Sequence, residues 1–187
     1  MKNTITKIFA VLALTAILLT SFTSTQTVQA AADSGRRGPG ASQRGTGTQM
    51  NQQLSLNTLS ATEAEGLQSA IQEEYTAVNT YNSVIATLGT GTVFDRIVRS
   101  EQRQVDALIL VAERHGVTVP ENAGLVADFN YTILAEACEL ARGFEFADAD
   151  LYTQLLSQTE NPALTRVYTN LQSASLNKHV PAFELCW

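Results

Sequence analysis

Apolar residues recur at alternating intervals of three and four along four segments of the chain, which is the spacing of helices that bury one face against other helices. In the first segment, the series is regular only if Glu74 fills one of its places. The apolar members are Leu67, Ile71, Val78, Tyr81, Ile85 and Leu88. The sequence Ser60-Ala-Thr-Glu63 is a capping box, so we predict a helix from Ser60 to Leu88 that buries a carboxyl group.

The second helix is predicted over about Val93 to His115, because Gly116 follows as a stop signal. Its buried stripe contains two polar residues one helical turn apart, Glu101 and Gln104. The apolar members of this stripe are Phe94, Ile97, Leu108 and Val111. The second helix therefore repeats the unusual feature of the first.

A third helical region is predicted from Phe129 to Leu156, with a break expected near Gly143. Its stripe brings Glu145 and Asp148, another pair one turn apart, to the edge of the buried face or inside it. The other members of this stripe are Ile133, Ala137, Ala141, Tyr152 and Leu155, with Phe144 as the alternative to Glu145.

A fourth helix is predicted to begin after Asn161, an N-cap residue followed by Pro162 at the first helical position. Its stripe starts with Leu164, Val167 and Leu171. His179 lies further along. The helix is predicted to continue to about Glu184, and Pro181 is expected to kink or end it.

Short turns join the first helix to the second and the third to the fourth, whereas the middle connection is long enough to cross ~40 Å. We therefore predict an all-α four-helix bundle, made of two antiparallel hairpins joined by a longer crossover. This arrangement places Cys138 near Cys186. We expect one disulfide between them, and two separate free thiols are the alternative.

The first 30 residues have the features of a secretory signal peptide: Lys2 and Lys7, the apolar run 8–19, and small residues at Val28 and Ala30. Residues 31–53 are predicted to be a disordered Gly/Ser/Gln/Arg linker, and 54–187 the helical domain. We expect export to the periplasm or the extracellular medium, without stable membrane insertion after cleavage. An uncleaved membrane anchor is the alternative.

The chain of 187 residues has a net charge of −6, and loss of the two signal lysines leaves 10 basic and 18 acidic side chains, or −8. This charge argues against nucleic acid as a partner. The sequence leaves open whether two copies form a homodimer. It contains no Ser-His-Asp or Cys-His arrangement and no phosphate-binding glycine loop, so it assigns no catalytic residue and does not decide whether the protein is an enzyme.

Buried carboxyl groups on three helices favour a shared metal ion, because an unpaired buried charge costs several kcal/mol and hard cations prefer carboxylate oxygen and imidazole nitrogen. Iron is the expected metal, with manganese or zinc as alternatives. The competing interpretation is that arginines of the second helix neutralise the carboxylates by ion pairing. The candidates are Arg96, Arg99 and Arg103.

Several motifs resemble a bacterial and archaeal ferritin-like family catalogued as uncharacterised domain family 2202. They are "LSATEAEGL", "EEYTAVNTY", "VFDRIVRSEQRQVDAL", "TENPALTRVYTNL" and "ASLNKHVPAF". The resemblance covers residues 54–185 and implies a ferritin-like four-helix bundle. It also implies a carboxylate-bridged two-metal site, typically di-iron, with oxidase, peroxide-handling or iron-handling roles among wider relatives.

Carried over by position, the resemblance makes metal ligands of Glu74, Glu101, Glu145 and Asp148, and the Glu74–Tyr81 spacing is similar to that of the first helix of ferritins. Two positions depart from the family. Gln104 stands where the second helix usually has histidine. An ungapped match on the fourth helix puts Lys178, not His179, at the other histidine position.

A bulge in the fourth helix would restore His179 as a ligand. Without the bulge, Lys178 would point into the pocket and pair with the carboxylates. The sequence therefore supports two hypotheses. The first is an exported protein with a partly degenerate di-iron-type site, and the second is a metal-free helical binding or structural module that has lost the ancestral site.

Overall fold

The computed structural model describes residues 58–186. The predicted signal peptide, the whole of the predicted linker, and residues 54–57 and 187 of the predicted domain lie outside this range. The described part contains α-helices, one π-helical segment and no strand. These elements are α1 (Ala61–Leu88), α2 (Phe94–His115), α3 (Leu134–Ser157), α4 (Pro162–Ala174), the π segment (Ser175–His179) and α5 (Val180–Glu184). The predicted all-helical fold class is confirmed for this part of the chain.

The predicted helix starts and stops are present where local chemistry specifies them. Ser60 Oγ accepts the Glu63 N–H at 3.2 Å, and the Glu63 carboxylate accepts the Ser60 N–H at 2.9 Å, which completes the capping box. Asn161 caps α4 by accepting the N–H groups of its second and third residues. At the end of α2, Gly116 has a φ of 68°, a left-handed conformation that favours glycine.

Two apolar clusters fill the ends of the helical bundle. The first joins the beginning of α1 to the ends of α2 and α3 and to the beginning of α4, through Leu67, Ile71, Leu108, Tyr152 and Leu164. The second joins the other ends of α1, α2 and α3 to α5, through Tyr81, Phe94, Ala137, Cys138 and Phe183. The buried polar residues lie along the helices between these two clusters.

The long connection between α2 and α3 follows the side of α1. Gln68 donates to Thr118 O at 2.8 Å, and Gln72, one turn later, donates to Glu121 O at 2.6 Å. Two turns further on, Thr80 Oγ1 accepts the Ala127 N–H at 2.8 Å. The connection therefore runs from near the start of α1 towards its end, where α3 begins.

The third helix differs from the prediction in two respects, its first residue and the break expected near Gly143. It begins at Leu134, not Phe129, because the Glu136 carboxylate accepts the Thr132 N–H at 2.7 Å and fixes the start there. Ile133, predicted to be buried, is 56% exposed. Gly143 does not interrupt α3, since one glycine costs a helix only about 1 kcal/mol.

The Sγ atoms of Cys138 and Cys186 are bonded to each other, with Cα atoms 6.2 Å apart. This bond attaches the segment after α5 to the first turns of α3. None of the helices in residues 58–186 combines the length and apolar character needed to cross a bilayer.

Candidate metal centre

The buried polar side chains come from every long helix and from the π segment. Glu74, Glu101, Glu145 and His179 are each no more than 2% exposed, and Asp148 is 6% exposed. Gln104 and Ser175 are also buried. The structure thus brings the five residues predicted as metal ligands into the interior of one bundle.

The π segment decides which residue of the fourth helical rod faces the interior. A π turn contains one more residue than an α turn, so it rotates the following residues relative to the α-helical register. His179 is buried as a result, and Lys178 is exposed. The expectation that Lys178 could replace a ligand is therefore corrected, and the bulge that would restore His179 is present.

The closest group of ligand atoms consists of Glu101, Glu145 and His179. His179 Nδ1 lies 2.9 Å from Glu101 Oε1 and 3.1 Å from Glu145 Oε2. One ligand atom from each of the three residues lies within 4.8 Å of the other two. Neighbouring ligands around a six-coordinate ion at ~2.1 Å are ~3.0 Å apart, so the spacing fits a common metal ion.

Hydrogen bonds hold the carboxyl groups in place. Tyr81 donates to Glu145 Oε1 at 2.6 Å, and Tyr152 donates to Glu74 Oε1. Ser175 donates to Asp148 Oδ2 at 2.8 Å, and Gln104 Nε2 donates to Glu101 Oε2. The opposite nitrogen of the imidazole, His179 Nε2, lies 2.9 Å from Ser100 Oγ.

The partners Tyr152, Ser175 and Ser100 were not identified as site residues from the sequence. Tyr152 fitted the apolar stripe of α3, and the α-helical register did not bring Ser175 towards Asp148. The one available signal was that Tyr152 follows Asp148 by four residues and so lies on the same helix face.

Three buried oxygen atoms around these residues accept no hydrogen bond from an N–H or O–H group. They are Glu74 Oε2, Gln104 Oε1 and Asp148 Oδ1. A buried polar atom without a partner costs about 1–3 kcal/mol, and native structures contain few of them. Free acceptor atoms from three helices in one pocket are the atoms that a cation would use.

Burial raises the pKa of Glu74 well above its ordinary value, and the charges of Asp148 and Glu101 raise it further. Burial also raises the pKa of Asp148, with Glu145 adding to the effect. Burial alone would lower the pKa of His179, but its close contacts with Glu101 and Glu145 raise it to about 10. Without a metal the pocket therefore retains protons, which a bound cation would displace.

Arginine does not neutralise the pocket. Arg96, Arg99 and Arg103 are exposed, and no lysine or arginine within residues 58–186 forms an ion pair with the buried carboxyl groups. The arginine ion pairs in this range join Arg142 to Glu139 and Glu184 on the surface. The competing interpretation based on arginine therefore finds no support in the described residues.

Comparison with known proteins places the chain in a family. A family described as an uncharacterized protein domain (DUF2202) matches residues 63–185. The chain belongs to this family. The membership predicted from the motifs is thus confirmed, while the description of DUF2202 assigns no activity. No curated protein shows significant similarity to the chain.

Two solved structures are similar to this DUF2202 protein. The hypothetical protein MJ0754 from Methanococcus jannaschii DSM 2661 is 22% identical, with a TM-score of 0.59 over 67% of this chain and 79% of that chain. The conserved hypothetical protein rv2844 from Mycobacterium tuberculosis is 18% identical, with a TM-score of 0.61 over 68% of this chain and 99% of that chain. Identities this low show a common helical fold and no more.

Proposed function

We propose that this DUF2202 protein is a ferritin-like metalloprotein that binds iron, or another divalent transition metal, in the core of its helical bundle. The observation that carries the proposal is the buried group of Glu101, Glu145 and His179, which are close enough to share one ion. Two carboxylates and one neutral imidazole offer the charge and the donor atoms that such ions prefer.

The path of the chain supports the ferritin-like part of the proposal. The connection after α2 runs along α1 before α3 begins, which corresponds to two hairpins joined by one long crossover. Ferritin-like bundles use this connection and place carboxylate and histidine ligands on facing helices. Here the histidine comes from the π segment instead of a regular helix.

The residues around the ligands have distinct tasks in this proposal. Tyr81 and Tyr152 orient carboxyl groups by hydrogen bonds. The apolar clusters at both ends of the bundle exclude water. Iron, when bound, would supply electron transfer between its ferrous and ferric states, which is the basis for proposing iron handling or the handling of oxidants.

We also propose that the protein is exported to the periplasm or the extracellular medium. The support is the positively charged and apolar start of the sequence together with the bond between Cys138 and Cys186. Disulfides form and persist mainly in oxidising compartments. Detection of the mature N-terminus in a culture medium or periplasmic extract, by mass spectrometry, tests this part.

The metal-free module is the alternative, and Gln104 at a position where the family has histidine is the feature that favours it. That hypothesis required a lysine or arginine inside the core to neutralise the carboxylates. Lys178 is exposed, and no other lysine or arginine of the described residues pairs with the buried carboxyl groups. Burial lowers the pKa of His179, but its contacts with Glu101 and Glu145 raise it to about 10, so its imidazole is the cation that this alternative would have to use.

Metal content tests the main proposal. The purified protein is incubated separately with ferrous iron, manganese and zinc, desalted, and analysed for metal per chain. We expect at least one ion per chain, lost in the double variant Glu101→Gln/His179→Gln and kept in Glu113→Gln, which alters an exposed carboxylate of the same helix. A wild-type protein that retains none of the three metals would refute the proposal and favour the metal-free module.

A further inference from the structure

The lysine and arginine side chains of residues 58–186 are concentrated on α2 and on the rod formed by α4 and the π segment. The exception is Arg142 on α3, which forms ion pairs with Glu139 and Glu184. The others are exposed and form no ion pair with a carboxylate of the described residues. They are Arg96, Arg99, Arg103, Arg114, Arg166 and Lys178. An acidic chain thus carries unpaired positive charge on two of its elements.

These two elements are antiparallel neighbours. The end of α2 and the start of α4 contribute to the first apolar cluster, whereas the start of α2 and α5 contribute to the second. Between the clusters, His179 Nε2 of the π segment lies 2.9 Å from Ser100 Oγ of α2. Lys178 is the exposed neighbour of this histidine. The contact between Ser100 and His179 therefore marks the line along which the two elements meet.

The arginines of α2 lie on the side of the helix that faces this line. At 100° per residue, Arg96, Arg103 and Arg114 all lie within about 60° of Ser100 around the helix axis. The acidic residues of α2 that are not buried lie further round, at about 120–140° from Ser100. They are Asp95, Asp106 and Glu113. The helix thus separates its positive charges from its negative ones.

The rod formed by α4 and the π segment adds positive charge without any negative charge. Gln172 donates to Ala149 O of α3 at 3.1 Å, and Arg166 lies about 120° from Gln172 around the axis, so it points away from α3. The sequence from Pro162 to Phe183 contains no aspartate or glutamate. Together these residues form a cationic face, defined by Arg96, Arg103, Arg114, Arg166 and Lys178.

The composition and the length of the cationic face indicate the type of anion that it suits. Arginine predominates, and the planar guanidinium group donates two parallel hydrogen bonds to the oxygen atoms of a phosphate. Along α2, the face extends from Arg96 to Arg114, which is about 27 Å at 1.5 Å per residue. A single phosphate would contact only one part of this row. A linear chain of phosphates can contact all of it.

The neutral residues of the face argue against two other phosphate-bearing partners. The aromatic residues of α2, α4 and α5 are Phe94, Tyr168 and Phe183, and all three are buried. Proteins that bind single-stranded nucleic acid stack its bases on exposed aromatic side chains, and helices that bind membrane surfaces insert large apolar ones. Among the arginines of α2, the exposed large apolar residue is Leu110. The face therefore suits phosphates that carry neither bases nor acyl chains.

We infer that the cationic face binds a linear phosphate-bearing polymer, which lies along α2 and α4 and is held by the exposed arginines and Lys178. This inference goes beyond the proposed function, because none of the proposed metal ligands takes part in it. Metal content and polymer binding are measured separately, so the failure of one proposal leaves the other standing.

Binding of inorganic polyphosphate tests the inference. The mature chain is titrated with fluorescently labelled polyphosphate of about 50 units, and anisotropy is recorded between about 50 and about 200 mM salt with a chelator present. Arg103→Gln should weaken binding about five- to tenfold at 50 mM salt and reduce the slope of log affinity against log salt by about 0.7. Arg142→Gln is the matched control, because it changes the net charge equally on another helix. It should change the affinity less than about twofold.

Lys178→Gln provides a second test from the other element and should match Arg103→Gln in both readouts. Circular dichroism verifies that each variant is folded, and if one is not, the other decides. The inference is overturned if the wild type does not bind polyphosphate, or if Arg142→Gln weakens binding as much as Arg103→Gln does. Tighter binding to poly(dT), or to vesicles of phosphatidylglycerol and phosphatidylcholine, would also overturn it and assign the face to nucleic acid or to a membrane.

Discussion

The substitution Glu74→Gln should stabilise the metal-free protein at neutral pH. Burial raises the pKa of Glu74, and the charges of Asp148 and Glu101 add to this effect, so the folded state pays for an uncompensated buried acid. Glutamine has the same shape and still accepts the hydrogen bond from Tyr152. Its amide group can donate to Glu101, whose carboxyl group interacts with Glu74 in the wild type.

The magnitude follows from the cost of a buried charge. Replacement of poorly compensated buried charges by neutral groups of similar shape raises the free energy of unfolding by about 1–3 kcal/mol. For a domain of this size, 1 kcal/mol corresponds to about 4 °C in Tm. We therefore expect the variant to melt about 4–12 °C higher than the wild type at pH 7 with a chelator present.

The pH dependence of the difference identifies its cause. A carboxyl group whose folded-state pKa is raised contributes no instability below its unfolded value of 4.5, and it destabilises the fold as the pH rises above that value towards and through the folded pKa. The gain in Tm should therefore grow from pH 4.5 to pH 7 and vanish below pH 4.5. Thermal unfolding followed by circular dichroism measures it.

The control is Glu65→Gln, which removes an exposed carboxylate from the same helix and should change Tm by less than 2 °C, or about 0.5 kcal/mol. A Glu74→Gln variant that melts at the same temperature as the wild type, or lower, at pH 7 would contradict the reasoning. It would mean that the fold stabilises the Glu74 carboxylate without any metal.

Four further predictions test other parts of the structure. Ser100→Ala should weaken zinc binding about tenfold in calorimetry, because the hydroxyl group orients the imidazole of His179. It should also lower the metal-free Tm by about 4–12 °C, because the buried Nε2 atom loses its hydrogen-bond partner. Glu63→Gln should lower the free energy of unfolding by about 1–3 kcal/mol, measured by chemical unfolding. Burial raises the pKa of the Glu63 carboxyl group, but the backbone N–H groups that donate to it lower the pKa overall. The loss of stability should be present above the unfolded pKa of 4.5 and should shrink as the pH falls below it. Cys138→Ser should cost about 4 kcal/mol, since the lost bond closes a loop of 48 residues. Deletion of Asn177, which is exposed within the π segment, should restore an α-helix with His179 still in the interior and change the zinc affinity less than threefold. Insertion of one alanine at position 177 should instead abolish zinc binding.

The burial of the proposed ligands on the first three helices could be predicted from the sequence, because the regular period of an α-helix holds over many turns. Once Leu67 and Ile71 define the buried face of α1, the 3.6-residue period fixes Glu74 on the same face. The same reasoning placed Glu101 and Gln104 in the interior of α2, where they lie.

The start of α3 could not be predicted as well, because aromatic residues before it have a different role. Phe129 and Tyr131 precede the helix and pack against the second apolar cluster from the connection. Buried apolar residues give the same sequence signal in a helix and in an ordered loop. The hydrophobic pattern therefore predicted a start of α3 that is five residues too early. Hydrogen bonds between helices, such as that from Tyr152 to Glu74, depend on how the helices pack against one another. The periodicity of each helix alone does not determine that packing.

The register of the fourth helical region determines whether a histidine or a lysine faces the buried carboxyl groups. Regular α-helical register would turn Lys178 inward, and an ammonium group could neutralise the carboxylates without any metal. The π segment instead turns His179 inward, and the same change of register keeps Phe183 and Cys186 buried. A π turn gives up regular hydrogen bonding and is found mostly where function requires it. An imidazole with one nitrogen on Ser100 and the other facing two carboxylates is the arrangement that the proposed metal site requires, so the irregular turn supports that proposal.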